Sequence, residues 1–246
     1  MTLPVETRLM STSLGVISIW GHFGNKIKVL AINGAGAAAD EMSRLPHILA
    51  PDYDGLVAFL PGDRRPALSQ VSIPAFAQAF DEVVRRLGPT VVMGHSAGGL
   101  VALAMRSPLI RAVVAIDPPL LTSKMWPVIP TLRAGLAASY DPFLDKVFGL
   151  TAAGVEERDY RPLLAGLHRP TDVVVGSDPL FPERALSRKP SFVDEPERAL
   201  FAAHPLVRLH VAPNSGHQVQ FEAAHFLFSV LLEACRKAPH AQAGAI

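Results

Sequence analysis

The pentapeptide GHSAG at residues 94–98 constrains this chain more than any other sequence feature. It reads G-x-S-x-G and separates two segments of different character. The apolar, β-branched run 90–93 before it predicts a buried strand, and residues 99–106 after it predict a helix that ends before Pro108. A strand that turns sharply into a helix holds a serine hydroxyl out at the top of a sheet. This context predicts that Ser96 is a nucleophile on an α/β fold.

Length and composition fit one globular α/β domain that carries an insertion. The chain has 246 residues, of which 49% are hydrophobic and 18% charged, so it can bury a large core. Its 23 basic and 22 acidic residues leave no electrostatic footprint for a nucleic acid. We therefore expect a small-molecule substrate rather than a nucleic acid as the partner, and the sequence does not indicate an oligomeric state.

The termini and the cysteine count bear on location and on metal chemistry. Residues 1–10 contain Glu6 and Arg8 and lack the apolar run of a signal peptide, and no apolar run of 18 residues exists to span a membrane. We expect a cytoplasmic protein with no membrane partner. Cys235 is the single cysteine, so an intrachain disulfide is excluded, and the histidines show no paired ligand spacing. We expect no metal and no cofactor.

Strand-like and helix-like segments alternate along most of the chain, which predicts a mainly parallel, doubly wound sheet covered on both faces. Strand-like segments at 14–20 and 27–32 are separated by a short polar stretch, so we expect a hairpin and an antiparallel start to the sheet. From residue 120 to 170 the strand signal disappears and prolines interrupt short helices. We predict a core formed by residues 1–119 and 171–246, with a small helical lid at 120–170.

A serine hydroxyl needs a base and an orienting acid, and both are expected where sheet strands end. Asp178 follows a predicted strand in a turn closed by Pro179, and His217 follows the last predicted strand in a glycine-containing loop. The chain order Ser96, Asp178, His217 is typical of a nucleophile elbow on this kind of sheet. We predict these three residues as the catalytic triad.

Asp117 is the alternative acid, because it also ends a strand, the one that follows the elbow helix. Its other interpretation is a turn or helix cap before two prolines, and we favour Asp178. His95 lies inside the elbow, where its side chain points away from that of Ser96, so we interpret it as structural.

The oxyanion that forms during acyl transfer needs two N–H donors. The backbone N–H of Ala97 follows the nucleophile at a helix N-terminus, and we assign the backbone N–H of Ala35, in the turn 33–36, as the second donor. A phosphate-binding loop is the competing interpretation of this turn, but no Lys-Ser/Thr pair or G-x-G-x-x-G follows.

Met125, Trp126 and Ile129 stand in the predicted lid and are the candidate substrate-binding residues. Such side chains either line an apolar pocket or bury the lid against the sheet, and the sequence does not separate these two roles.

Taken together, these segments resemble the α/β-hydrolase family over about residues 27–237, especially its compact lidded members: esterases, lactonases, carbon–carbon-bond hydrolases and cofactor-free haloperoxidase-like enzymes. The resemblance rests on the oxyanion segment 33–36, the loop 60–64, the elbow 94–99, the acid turn 176–179 and the histidine loop 215–222. Asn33 stands where a histidine is common, which affects the side-chain bonds of the oxyanion loop rather than its backbone donors.

The resemblance implies a serine hydrolase that cleaves a small, fairly apolar carboxylic ester, thioester or lactone through an acyl-enzyme on Ser96. One alternative uses the same triad for carbon–carbon cleavage, a lyase reaction or cofactor-free oxygen chemistry. A second alternative is a non-catalytic ligand-binding protein that keeps the hydrolase fold.

Overall fold

A single eight-stranded sheet organises the chain, with strands in the order β1-β2-β4-β3-β5-β6-β7-β8. The computed structural model describes residues 4–37, 41–62, 66–128, 141–151, 154–180 and 189–238. Across the sheet from β4 to β8, all neighbouring strands are parallel. The strands are β1 Glu6–Thr12, β2 Gly15–Gly21, β3 Lys28–Ile32, β4 Asp54–Ala58, β5 Thr90–His95, β6 Ile110–Ile116, β7 Thr171–Gly176 and β8 Val207–Ala212.

The antiparallel start of the sheet is confirmed, but the predicted hairpin between residues 14–20 and 27–32 is wrong. β2 pairs with β1 on one side and with β4 on the other, so β4 separates it from β3. β1 was not predicted because it lies at the sheet edge and is exposed over most of its length. Its charged residues Glu6 and Arg8 suit an edge strand, where they discourage pairing with another chain.

Helices cover both faces of the sheet, as the alternating pattern predicted. They are α1 Leu45–Leu49, α2 Ile73–Leu87, α3 Ala97–Ala104, α4 Asp141–Phe148, α5 Glu195–Ala203, α6 Val219–Glu222 and α7 Ala224–Lys237, and the 3-10 helices Thr122–Val128 and Arg161–Gly166 are also present. α5 was not predicted, because its surroundings are polar. Asp194 and Glu197 form a capping box at its start, which satisfies backbone donors there.

Side chains of β5 alternate between two apolar cores. Val92 points into a cluster with Phe76 and Phe80 of α2, which are fully buried. Val91 faces the opposite cluster, which includes Leu231 of α7. A strand that is buried on both faces reads as a continuous apolar run, and this explains why residues 90–93 were recognisable from sequence.

The segment 120–170 contains short helices, in agreement with the sequence, and its described part forms no strand longer than an isolated bridge. Whether it acts as a lid is a prediction that this architecture leaves untested. Within the described part of the chain, no helix combines the length and apolar character needed to cross a membrane.

Candidate active site

Ser96 occupies a strained turn between β5 and α3. Its φ is 55° and its ψ is −121°, a combination that a non-glycine residue adopts only when the surroundings enforce it. The Ser96 N–H donates to the carbonyl of Ile116 at 2.8 Å, and its own carbonyl accepts from Leu100 at 3.1 Å. The predicted strand and helix around Ser96 are confirmed, and the turn between them has the geometry of a nucleophile elbow.

The glycines around Ser96 are required by close backbone packing. A Cβ on Gly94 would lie 2.1 Å from the carbonyl oxygen of Gly98, and a Cβ on Gly98 would lie 2.2 Å from that of Ile32. Neither backbone oxygen can move without disrupting the sheet or the helix. The G-x-S-x-G pattern therefore reflects the contact between α3 and the sheet as much as the chemistry of the serine.

His217 is paired with Asp117. The Nδ1–H of His217 donates to Oδ2 of Asp117 at 2.6 Å, and both side chains are buried. The same carboxylate accepts the N–H of Phe192 at 2.9 Å and a short hydrogen bond from the Ser191 hydroxyl. Three donors satisfy the buried charge of Asp117, and the bond to Nδ1 leaves Nε2 of the imidazole free to accept a proton.

The structure therefore places the alternative acid, Asp117, at the His217 ring in place of the predicted Asp178. Asp178 instead holds the loops together through its backbone: its N–H donates to the carbonyl of Ser215 at 2.9 Å, and its carbonyl accepts from Ser191 at 2.8 Å. Asp117 directly follows β6, which lies beside the elbow strand β5, and its carboxylate is the one hydrogen-bonded to the His217 ring.

The predicted oxyanion donors lie beside the nucleophile. Ala97 is the first residue of α3 and is fully buried, and Ala35 lines the same cavity as Ser96. A Cβ on Gly34 would come within 3.1 Å of the Ser96 Cβ, so the loop after β3 packs directly on the elbow. The placement of both residues is compatible with the predicted role, which stays a prediction.

Ser96 and His217 line the same cavity, which has a volume of about 70 Å³. Its apolar wall is formed by Met125, Leu144, Phe148 and Phe192. Of the two predicted substrate-binding residues that the structure describes, Met125 lines it and Trp126 does not. Trp126 packs against the main apolar core instead, which is the other role that the sequence left open, and Ile129 lies outside the described residues.

Polar residues that the sequence analysis did not identify also line the cavity: Glu41, Lys189 and Gln218. No motif marks them, because each comes from a loop whose position is set by the fold. Glu41 is almost completely buried and contacts the His95 ring, with 3.3 Å between its Oε1 and Nδ1. His95 lines the same cavity, and its Nε2–H donates to the backbone carbonyl of His217 at 2.9 Å.

The environment of His217 favours the neutral imidazole. Burial lowers the pKa of His217 below its ordinary value of 6.5, and positive charge on His95 and Lys189 lowers it further, while the hydrogen bond to Asp117 opposes the shift. A neutral imidazole is the form that can accept a proton from a serine.

The pH dependence of turnover should reflect this lowered pKa. We expect the acid limb of kcat/KM for an ester substrate to have its midpoint below pH 6.5, where His217 becomes protonated, and to reach a plateau by about pH 8. Initial rates measured across this range in buffers of constant ionic strength test the expectation. An acid limb centred above pH 6.5 would contradict it.

Comparison with known proteins decides the family. A sequence model described as the alpha/beta hydrolase family matches residues 18–230, which include every element from β3 to α6 and the first half of α7. The chain belongs to the alpha/beta hydrolase family. A search of curated proteins gave no match.

Solved structures of other alpha/beta hydrolases share the fold at low identity. An N-formylmaleamic acid deformylase from Pseudomonas putida is 17% identical, with a TM-score of 0.67 over 92% of this chain and 100% of that one. A thermophilic esterase from Thermogutta terrifontis is 18% identical, with a TM-score of 0.68 over 95% and 99%. An N-acyl homoserine lactonase is 20% identical, with a TM-score of 0.67 over 99% and 100%.

Proposed function

We propose that this alpha/beta hydrolase cleaves a small, fairly apolar carboxylic ester, thioester or lactone through an acyl-enzyme on Ser96. The observation that carries the proposal is the placement of a strained serine and an Asp117-paired histidine around one small cavity. Esterase, lactonase and thioesterase domains among the structural neighbours act on bonds of this class, which supports the proposal as an analogy.

In the proposed reaction, Nε2 of His217 takes the proton from the Ser96 hydroxyl as Oγ attacks the substrate carbonyl. Asp117 holds the imidazole in the required tautomer and stabilises the imidazolium that forms. The N–H groups of Ala35 and Ala97 stabilise the tetrahedral oxyanion, and one such donor is typically worth about 3 kcal/mol of barrier. His217 then protonates the leaving group, and water, deprotonated by His217, releases the acyl group from Ser96.

The apolar wall of the cavity favours a substrate whose acyl group is short and apolar. Met125, Leu144 and Phe148 come from the segment 120–170, so this segment supplies much of that wall and would act as the lid of the site. A volume of about 70 Å³ accommodates only a few carbon atoms without rearrangement.

A series of p-nitrophenyl esters tests the proposed substrate class. We expect kcat/KM to be highest for acetate or butyrate and lower by roughly tenfold or more for octanoate, because the longer chain must displace the apolar wall. Leu144→Ala should improve octanoate relative to butyrate, since Leu144 lines the cavity.

Val147→Ala is the matched control for Leu144→Ala. Val147 lies on the same helix and is fully buried, but the described residues that line the cavity do not include it. A preference for octanoate in the wild type, or equal effects of the two substitutions, would contradict a small acyl pocket.

A further inference from the structure

A polar cluster links three parts of the chain that meet at the candidate site. It consists of Glu41 from the segment after β3, His95 from the elbow and Gln220 from the start of α6, and we call it the Glu41 network. Glu41 and His95 expose 6% and 4% of their surface, so water contributes little to satisfying either group.

The contacts of His95 fix the hydrogen on its ring. The His217 carbonyl can only accept, so Nε2 of His95 at 2.9 Å must carry the hydrogen and donate it. On the other side of the ring, Nδ1 lies 3.3 Å from both Oε1 of Glu41 and Nε2 of Gln220. Nδ1 therefore accepts from Gln220 when the ring is neutral and donates to Glu41 when the ring is positive.

Glu41 is ionised in this setting. Burial raises the pKa of the Glu41 carboxyl, but hydrogen bonds from His95 and Gln220 and the positive charge available on His95 and His217 bring the pKa below its ordinary value. The Gln220 amide donates to Oε1 of Glu41 at 2.9 Å. A buried carboxylate of this kind is stable only with its partners in place, so it restricts the positions of both loops.

The Glu41 network contacts His217 through the backbone carbonyl of that residue. We propose that Glu41, His95 and Gln220 are positioning residues for His217: Glu41 and Gln220 orient the His95 ring, and His95 holds the His217 carbonyl so that the imidazole stays over the cavity. This inference rests on the proposed function, because it assigns His217 the role of the base. The rings of His95 and His217 lie 4.7 Å apart, centroid to centroid.

The arrangement also affects the pKa of the His217 imidazole. The charged and titratable groups that face His217 are Asp117 after β6, His95 in the elbow, Lys189 between β7 and α5, and Glu41 of the network. The His95 ring lowers the pKa of the His217 imidazole and the Asp117 carboxylate raises it, so replacing His95 with an uncharged side chain removes an influence that opposes the imidazolium.

Two substitutions of His95 separate positioning from general structural support. His95→Gln places an amide N–H near the position of Nε2 and cannot be protonated, whereas His95→Leu has no donor for the His217 carbonyl. We expect His95→Leu to lower kcat for p-nitrophenyl butyrate on the order of 10- to 100-fold with KM nearly unchanged, because the base is displaced from its productive position. His95→Gln should recover most of kcat and move the acid limb of kcat/KM to higher pH.

Glu41→Gln and His210→Gln complete the test. Glu41→Gln removes the charge that orients His95 and should lower kcat by roughly tenfold with KM nearly unchanged. It also keeps the proposal testable if His95→Leu fails to fold. His210 on β8 is the matched control, because its Nε2 bonds the buried Asp172 of β7 at 2.7 Å and it is not among the residues that line the cavity. His210→Gln should leave kcat and the acid limb unchanged.

The outcomes distinguish this inference from the proposed function. If Glu41→Gln and folded His95→Leu keep kcat within threefold of wild type, the positioning role is overturned while ester hydrolysis stands. An acid limb of His95→Gln that stays in place overturns the charge effect assigned to His95. If wild-type protein shows no turnover that depends on Ser96, the proposed function itself fails.

Discussion

Replacing Ser96 with alanine is expected to lower kcat/KM for p-nitrophenyl butyrate by about 10⁴- to 10⁶-fold. The reason is that no other group of the candidate site replaces the attacking oxygen, and only the oxyanion donors and substrate binding remain. Alanine tolerates the positive φ of 55° about as poorly as serine does, so the fold should be retained. Thermal unfolding of both proteins controls for a loss of structure.

The outcome of the Ser96→Ala measurement also separates the proposed chemistry from its alternatives. Carbon–carbon cleavage, a lyase reaction or cofactor-free oxygen chemistry would let Ser96→Ala keep substantial turnover of its substrate. A ligand-binding protein on this fold would bind esters without turning them over in either form. Retention of more than about one tenth of the wild-type rate would contradict the role of Ser96 as nucleophile.

A second large effect is expected at Asp117, the partner of the catalytic histidine. Asp117→Asn should lower kcat about 10⁴-fold, because the amide no longer stabilises the imidazolium of His217 and can hold the wrong tautomer. Asp178→Asn is the matched control: it makes the same chemical change in the turn after the neighbouring strand β7, where the backbone of Asp178 bonds Ser215 and Ser191. We expect Asp178→Asn to stay within about tenfold of wild type.

Steady-state kinetics of these two variants, with unfolding temperatures measured in parallel, decide between the two acids. Asp117 is fully buried and accepts three hydrogen bonds, so Asp117→Asn should also destabilise the protein. The loss of kcat must therefore be measured on folded protein well below its unfolding temperature. If Asp178→Asn loses as much activity as Asp117→Asn, the assignment of the acid is wrong.

The parts of the fold that were predictable from sequence are those in which local pattern and burial agree. The run 90–93 is buried on both faces, and the stripe on α2 places Phe76 and Phe80 in the core. β1 was missed because an exposed edge strand carries no such pattern. The partner of β2 was predicted wrongly because its pairing with β4 joins residues far apart in the chain.

The candidate site shows the same division. Ser96 and His217 stand in loops with recognisable sequence patterns, but the chain order of serine, acid and histidine is satisfied equally by Asp117 and Asp178. The hydrogen bond between His217 and Asp117 distinguishes them, and it depends on how loops far apart in the chain pack together. Glu41 carries no local signal, because it reaches His95 only after the segment following β3 has folded over the elbow.

The most direct test of the central claim, that Ser96 is the nucleophile, is labelling with a fluorophosphonate followed by mass spectrometry of the intact protein and its peptides. Attack of the Ser96 oxygen on phosphorus expels fluoride and leaves a stable phosphonyl ester. We predict one adduct per folded chain, on the peptide that contains Ser96, and no adduct in Ser96→Ala. Folded wild-type protein that stays unlabelled, or that carries the adduct on another residue, would contradict the account.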